Sequence, residues 1–195
     1  MRRALILTAA VLMAGSAIAA GLLHEGYDHA RHPLSLPGAS GMPGWWLVNA
    51  GLFVLPGLLV GASAWMARQA GSGWALRLAL QMLQFSALAF ALQGVFNLDP
   101  ARLPDDGGNR WHALAWMGWW LCFALSTVFM ALARGLSPAI RLAAAAVALG
   151  VPVAVMSAPA LGMAAIVQRL VVVAWFALAM ALAGRRRDQP RSATR

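Results

Sequence analysis

The charged residues of this chain are confined to short segments that alternate with long uncharged stretches. Arginine is concentrated in every second polar segment, at Arg2, Arg3, Arg68, Arg77, Arg134, Arg141 and residues 185–187. The intervening segments carry Arg31, Arg102 and Arg110, together with all four histidines and five of the six acidic residues. Arginine on alternate sides is the positive-inside pattern of a multi-spanning membrane protein. The pattern therefore predicts an all-α membrane protein whose histidines and most of whose carboxylates face the non-cytoplasmic side.

The composition is that of a chain surrounded by lipid. Of its 195 residues, 61% are hydrophobic and 11% are charged, and the mean hydropathy is +0.69. A soluble domain of this size cannot bury so much apolar surface. The net charge of +9 comes from arginines at the ends of apolar stretches and in the tail, where they meet anionic lipid headgroups, so we expect no nucleic-acid partner. The lone Cys122 excludes an intrachain disulfide and a thiolate zinc site.

Six apolar segments are long enough to cross a bilayer, which takes about 20 residues. We predict a six-transmembrane-helix bundle in one domain, residues 1–184, with spans at residues 4–23, 45–67, 74–95, 112–133, 138–156 and 163–184. Both termini are then cytoplasmic, and residues 185–195 form a basic cytoplasmic tail. Arg2 and Arg3, followed by a short apolar run and the small residues Ala17, Ala19 and Ala20, also fit a cleaved signal peptide. That alternative stays open.

Two connections on the predicted outer side carry most of the polar residues. Loop 1, residues 24–44, holds three of the histidines, and loop 3, residues 96–111, holds Asp99. Each loop returns to the membrane through tryptophan, at Trp45-Trp46 and at Trp111, as expected for an interfacial aromatic belt. Within the spans, Gly57 and Gly61 form a GxxxG pair, which predicts close packing between helices.

A metal site is one hypothesis for loop 1. His29 and His32 are three residues apart and would share a face of a helical turn. Imidazole and carboxylate ligands suit zinc, and His112 or Asp99 would supply a third ligand. The alternative is that the loop residues are solvated or cap turns, since their spacing matches no established zinc signature. Haem held by His24 and His112 is a weaker hypothesis.

His112 and Ser35 are candidates for chemistry at the outer membrane edge. His112 opens the fourth span, where a histidine suits acid–base chemistry or ligation, although simple packing on Trp116 is equally compatible. Ser35, His112 and Asp99 would supply the nucleophile, base and orienting group of a triad. No G-x-S-x-G motif surrounds Ser35, so a turn or helix-cap role is the simpler interpretation.

Arg169 is the single most informative residue, because it lies about six residues inside the sixth span, roughly 9 Å along the helix. An ionisable group at that depth usually faces a partner or a wet cavity. We expect Asp99 as the partner, with Asp28 or Glu25 next. Snorkelling towards a lipid phosphate, or a purely structural ion pair, is the alternative.

Several short motifs follow one another in a recognisable order. They are His32-Pro33-Leu34-Ser35, Asn49-Ala50-Gly51-Leu52-Phe53, Phe96-Asn97-Leu98-Asp99, His112 and Gln168-Arg169. In this order and spacing the chain resembles the prokaryotic membrane-protein family catalogued as domain of unknown function 998, over nearly its whole length. The resemblance implies a six-helix integral membrane protein and implies no activity. An acidic residue often follows the serine in that family, where this chain has Leu36, and this departure weakens any role that the resemblance implies for Ser35.

Together these residues predict a polar pocket on the non-cytoplasmic face of a bacterial inner-membrane protein. The candidate ligand-binding residues are Arg169, Gln168, Ser35 and His32; the candidate catalytic residues are His112 and Asp99; the candidate metal ligands are His29, His32 and His112. We expect the pocket to bind a small or lipid-like ligand or a membrane partner. The alternative is a hydrolase or transferase, metal-dependent or not, that acts on a lipid or lipid-linked substrate.

Overall fold

The computed structural model describes residues 1–70, 73–102 and 107–184, and the regular structure in these ranges is helical. The elements are α1 (Arg2–Leu23), α2 (Trp45–Asn49), a π-helical segment (Ala50–Val54), α3 (Leu55–Ala70), α4 (Trp74–Val95), α5 (Gly107–Leu132), α6 (Pro138–Ser157) and α7 (Ala164–Ala183), with short 3-10 turns at Leu36–Gly38 and Pro100–Arg102. Because α2, the π segment and α3 run on as one span, the described residues contain six helices long and apolar enough to cross a membrane. The predicted all-α fold with six such helices is confirmed. The predicted tail, residues 185–195, lies outside the described residues.

The helices pack as a ring in which each contacts its neighbours along the chain, and α1 closes the ring against α7. Chain direction alternates from one span to the next, so the described loop residues 24–44, 96–102 and 158–163 gather at one end. We call this the loop end. The arginines of the alternate polar segments, such as Arg68 and Arg141, lie at the opposite end, because they flank the other termini of the same helices.

Four aromatic side chains fill the centre of the ring. Phe53, Phe90, Trp119 and Trp175 come from the π segment, α4, α5 and α7, and each is no more than 1% exposed. The ring centroid of Phe90 lies 5.3 Å from that of Phe53, 5.4 Å from that of Trp119 and 4.8 Å from that of Trp175. Offset aromatic contacts at these distances are stabilising. This cluster fixes α7 against α4 and α5, and thereby sets the position of the polar residues at the start of α7.

The predicted close helix packing is confirmed at Gly57. A Cβ atom at this position would lie 2.6 Å from the Ala87 carbonyl oxygen and 2.8 Å from the Ala91 nitrogen, so α3 and α4 approach too closely for any side chain there. Gly61, one turn further on, leaves more room, because a Cβ would lie 3.6 Å from the Ala87 Cβ. The GxxxG pair therefore contributes through its first glycine.

Loop 1 is attached to the helical ring and to loop 3 by polar contacts. The side-chain amide nitrogen of Asn49, a buried residue at the end of α2, donates to the Gly38 carbonyl oxygen at 2.7 Å. The Ser40 amide donates to the Leu98 carbonyl of loop 3 at 2.7 Å. These bonds hold loop 1 across the loop end, so that its residues line cavities together with residues of the helices.

Candidate functional site

His112 lies in the first turns of α5 and is 9% exposed. Its Nδ1 atom is 2.7 Å from the carbonyl oxygen of Phe96 and 3.1 Å from that of Gln93. A carbonyl oxygen only accepts hydrogen bonds, so Nδ1 must carry the proton and the lone pair of the neutral ring is on Nε2. The histidine thus satisfies carbonyl groups at the end of α4, which would otherwise lack partners, and keeps one acceptor nitrogen uncommitted among the described residues.

A cavity of about 400 Å³ opens beside His112, and we call it the His112 pocket. Its polar lining comes from Arg31 and Ser35 of loop 1, His112 of α5 and Gln168 of α7. Its apolar lining comes from Pro33, Trp116, Val155, Pro159 and Val167, among others. The pocket therefore combines one polar side with a wall made of α5, α6 and α7.

Ser35 and Gln168 each leave a polar group for an occupant of this pocket. Ser35 is 6% exposed and precedes the 3-10 turn Leu36–Gly38, but its side chain makes no capping hydrogen bond. Gln168 accepts a hydrogen bond from the Leu34 amide through Oε1 at 3.0 Å, which leaves its NH₂ group as the donor. Residues far apart in the sequence, at 35, 112 and 168, are thus brought to one cavity.

Arg169 lies outside the His112 pocket and binds loop 1 through neutral groups. Its Nη1 atom donates to the carbonyl oxygens of His32 at 3.1 Å and Ala165 at 2.8 Å. Its Nη2 atom donates to the Tyr27 hydroxyl at 2.7 Å and lies 3.3 Å from Nδ1 of His29. No carboxylate of the described residues comes within ion-pair distance of Arg169.

The expected pair between Arg169 and Asp99 is therefore wrong. The Asp99 carboxylate serves its own turn instead: Oδ1 accepts from the Ala101 amide at 3.1 Å, and Oδ2 lies 3.6 Å from Nε of Arg102. The Asp99 backbone bonds the Asn109 side chain at the start of α5, with distances of 2.8 and 3.0 Å. Asp99 thus ties loop 3 to α5, and the orienting position at His112 Nδ1 is taken by backbone carbonyls.

A three-ligand metal site is also not assembled. Within the part of the chain that the structure describes, no group of three or more histidine, cysteine, aspartate or glutamate side chains is placed to hold a metal ion. His29, His32 and His112 therefore form no such group among these residues. Nδ1 of His32 accepts from the Asp28 amide at 2.9 Å, and Nδ1 of His29 lies 3.3 Å from Nη2 of Arg169. Both rings instead pack against Tyr27.

Tyr27 is the site residue that sequence reasoning missed, and its only signal was that it is the chain's single tyrosine. Its hydroxyl accepts from Arg169 and donates to the Pro33 carbonyl at 3.3 Å. Burial raises the pKa of Tyr27 above its usual 10.0, and the Arg169 charge and hydrogen bond oppose that rise. The neutral phenol therefore bridges Arg169 to the segment that also forms a wall of the His112 pocket.

Because Tyr27 is the only tyrosine, an absorbance titration of tyrosinate reads this contact alone. We expect a midpoint above pH 10.0, since burial disfavours the phenolate, and a still higher midpoint in Arg169→Gln, since the guanidinium favours the phenolate. Because burial raises the folded-state pKa, the stability gained from burying the neutral phenol is complete below pH 10 and is lost as pH rises through the folded pKa. A midpoint below 10 in the folded protein would contradict the burial of Tyr27, and a fall in Arg169→Gln would contradict its contact with Arg169.

The fold defines an all-helical protein with the dimensions of a multi-pass membrane bundle. The chain belongs to the family described as "Protein of unknown function (DUF998)", which matches residues 7–185 and so takes in both loops, most of α1 and the other five span-length helices. This match confirms the resemblance identified from the motifs. No curated protein and no solved structure matches the chain.

Proposed function

We propose that this protein is a multi-pass protein of the bacterial inner membrane that binds a small or lipid-like ligand in the His112 pocket from the non-cytoplasmic side. The orientation rests on the arginines: those of the described residues at the end opposite the loops include Arg2, Arg3, Arg68, Arg77, Arg134 and Arg141. Positive residues favour the cytoplasmic side of spans joined by short loops. The loop end, with its pocket, then faces away from the cytoplasm.

One observation carries the binding proposal. Ser35, His112 and Gln168 are each at least 91% buried, come from three separate segments, and line one cavity. A pocket with an apolar wall and a few convergent polar groups is the usual form of a small-molecule site. A ligand that fills the cavity can hydrogen-bond to these groups while its apolar part contacts the wall.

The lining also defines the chemistry of the occupant. His112 Nε2 accepts a hydrogen bond, the Gln168 NH₂ group donates one, and the Ser35 hydroxyl does either. Trp116 and Val155 offer apolar contact on the other side of the cavity. This combination fits an amphiphile with hydroxyl or amide groups at one end and a hydrocarbon portion at the other.

A hydrolase or transferase acting on a lipid-linked substrate is the second candidate, and the uncommitted Nε2 of His112 favours it. This nitrogen is placed to act as a general base towards a hydroxyl or water in the pocket. Asp99 takes no part in it, because carbonyl oxygens already orient the ring. Binding needs only the polar and apolar groups that line the pocket. Catalysis also needs a nucleophile, and His112 makes no hydrogen bond to one among the described residues.

Filling the pocket tests the binding proposal. Ala113 lines the cavity and its side chain is exposed there, whereas the next residue, Leu114, is 50% exposed and does not line it. We expect wild type and Leu114→Trp, incubated with a polar lipid extract of the expression host, to retain the same species in native mass spectrometry. We expect Ala113→Trp to lose that species by about tenfold or more, because tryptophan occupies its volume.

The same experiment separates the two candidates. A species that is retained unchanged supports binding, while a product that accumulates with wild type and not with His112→Gln supports the hydrolase or transferase. Equal retention by Ala113→Trp and Leu114→Trp, with both variants folded, would overturn the proposal that the His112 pocket is the site.

A further inference from the structure

A second cavity, of about 550 Å³, lies on the other side of loop 1, between α1 and α7. Its floor on α1 includes Ala10, Ala14 and Ala17, which recur at intervals of three and four residues and so share one helix face. Its α7 wall continues from Arg169 through Val173 at the same spacing. The floor spans about 10 Å of helix at 1.5 Å per residue. We call this cavity the Arg169 groove.

The two ends of the Arg169 groove differ in chemistry. Arg169 and His29 line it at the loop end, and the remaining lining away from that end is apolar, as at Val172 and Phe176. A Cβ atom at Gly21 of α1 would overlap the His29 ring, so the glycine leaves the space in which that imidazole sits. The groove is therefore a hydrocarbon-lined trough with a cationic head.

No carboxylate of the described residues neutralises the charge of Arg169. None of its four hydrogen-bond partners in this part of the chain is a carboxylate, and its Nε–H makes no hydrogen bond to the described residues. Asp28, the acidic residue next to Tyr27, is engaged by Arg31 and by the Ala30 amide. A partly buried guanidinium of this kind attracts an anion, and it recognises phosphate especially well.

The depth of Arg169 suits a lipid headgroup. It follows the first residue of α7, Ala164, by five positions, which is about 7.5 Å along the helix. At that depth a long cationic side chain reaches the interface between headgroups and hydrocarbon. The groove below it runs parallel to the helices, as an acyl chain does.

We propose that the Arg169 groove binds an anionic phospholipid, with the phosphate at Arg169 and one acyl chain along the trough between α1 and α7. This site is separate from the His112 pocket and does not rest on the function proposed for it. The hydrogen bonds of Arg169 to loop 1 persist in the complex, because they use the Nη1 and Nη2 hydrogens and leave the Nε–H donor for the phosphate.

The test compares two phospholipids on the full-length protein in detergent. We expect native mass spectrometry to show that wild type retains dioleoylphosphatidylglycerol more strongly than dioleoylphosphatidylcholine. Arg169→Gln should weaken phosphatidylglycerol binding about tenfold and abolish the preference, since one charge-assisted contact is lost. Arg169→Lys should keep the preference, and Arg102→Gln, an exposed arginine of loop 3, should match wild type.

A pair of variants on α1 tests the trough without touching Arg169. Ala14→Trp fills it, whereas Val11, on the same helix, is 70% exposed and does not line it. We expect Ala14→Trp to lose bound phosphatidylglycerol and Val11→Trp to retain it.

Equal affinity of wild type for the two lipids would overturn the proposal, as would full retention by folded Ala14→Trp. A dimer that Ala14→Trp dissociates without changing lipid binding would assign the groove to a second copy instead and equally overturn it. Ala113→Trp in the His112 pocket should leave phosphatidylglycerol binding intact, so failure at one site is distinguishable from failure at the other.

Discussion

Phe90→Ala is expected to lower the free energy of unfolding by about 3–5 kcal/mol, the range for removing a buried aromatic ring. Phe90 is 1% exposed and contacts Phe53, Trp119 and Trp175 at once. In a bilayer the hydrophobic effect does not drive helices together, so the loss falls on van der Waals packing. The effect should reach the site, because α7 carries both Trp175 and Gln168.

Phe85→Ala is the matched control for that variant. Phe85 lies on the same helix, α4, but is 48% exposed at the outer surface of the bundle. We expect its removal to cost less than 1 kcal/mol in unfolding by a denaturing detergent, about the value of a surface substitution. Equal losses for Phe85→Ala and Phe90→Ala would show that the aromatic cluster does not organise the bundle.

Gly57→Val is expected to destabilise the protein by about 3 kcal/mol, at the upper end of the usual cost of overpacking. Its added Cβ would meet the Ala87 carbonyl oxygen and the Ala91 nitrogen, which are backbone atoms and cannot rotate away. The helices α3 and α4 would have to separate along their length. Unfolding in a denaturing detergent, followed by circular dichroism, measures the loss.

The control for this prediction is the second glycine of the same motif. Gly61→Ala places its Cβ 3.6 Å from the Ala87 Cβ, which is ordinary contact. We expect that variant to be as stable as wild type or slightly more stable, because alanine is the better helix former. If Gly57→Val and Gly61→Ala behaved alike, the close approach of α3 and α4 at Gly57 would be wrong.

The helices were predictable because their signal is local. About 20 apolar residues between polar segments define a span whatever the rest of the chain does. The ends of the helices were harder to predict, because a polar first turn has no hydropathy signal. For example, α5 begins at Gly107, five residues before the predicted start at residue 112. The π segment Ala50–Val54 depends on how α1 and α4 pack against it and leaves no pattern in the sequence.

Three residues that line the His112 pocket were predicted from the sequence, but the hydrogen bonds that connect the candidate residues were not. Ser35, His112 and Gln168 were recognised from their motifs, and the structure brings them to one cavity. The partner of Arg169 was not predictable, because a carboxylate is the usual expectation and loop 1 instead delivers the neutral Tyr27. The role of Asp99 was predicted wrongly for a similar reason. Its carboxylate accepts a hydrogen bond from the Ala101 amide within its own turn, and the sequence does not show the backbone path of loop 3 that allows this.

The proposed function requires that the His112 pocket open at the loop end, away from the cytoplasm. A single cysteine tests this directly, because Cys122 is the chain's only native cysteine and Cys122→Ser removes it. In that background, Ser35→Cys in spheroplasts should react with a small, membrane-impermeant thiosulfonate, and Ala113→Trp should slow the reaction about tenfold by filling the cavity. Ser137→Cys, between α5 and α6 at the opposite end, should react only when the reagent is admitted to the cytoplasm. Reaction of Ser35→Cys from the cytoplasmic side alone, or from neither side, would contradict the account.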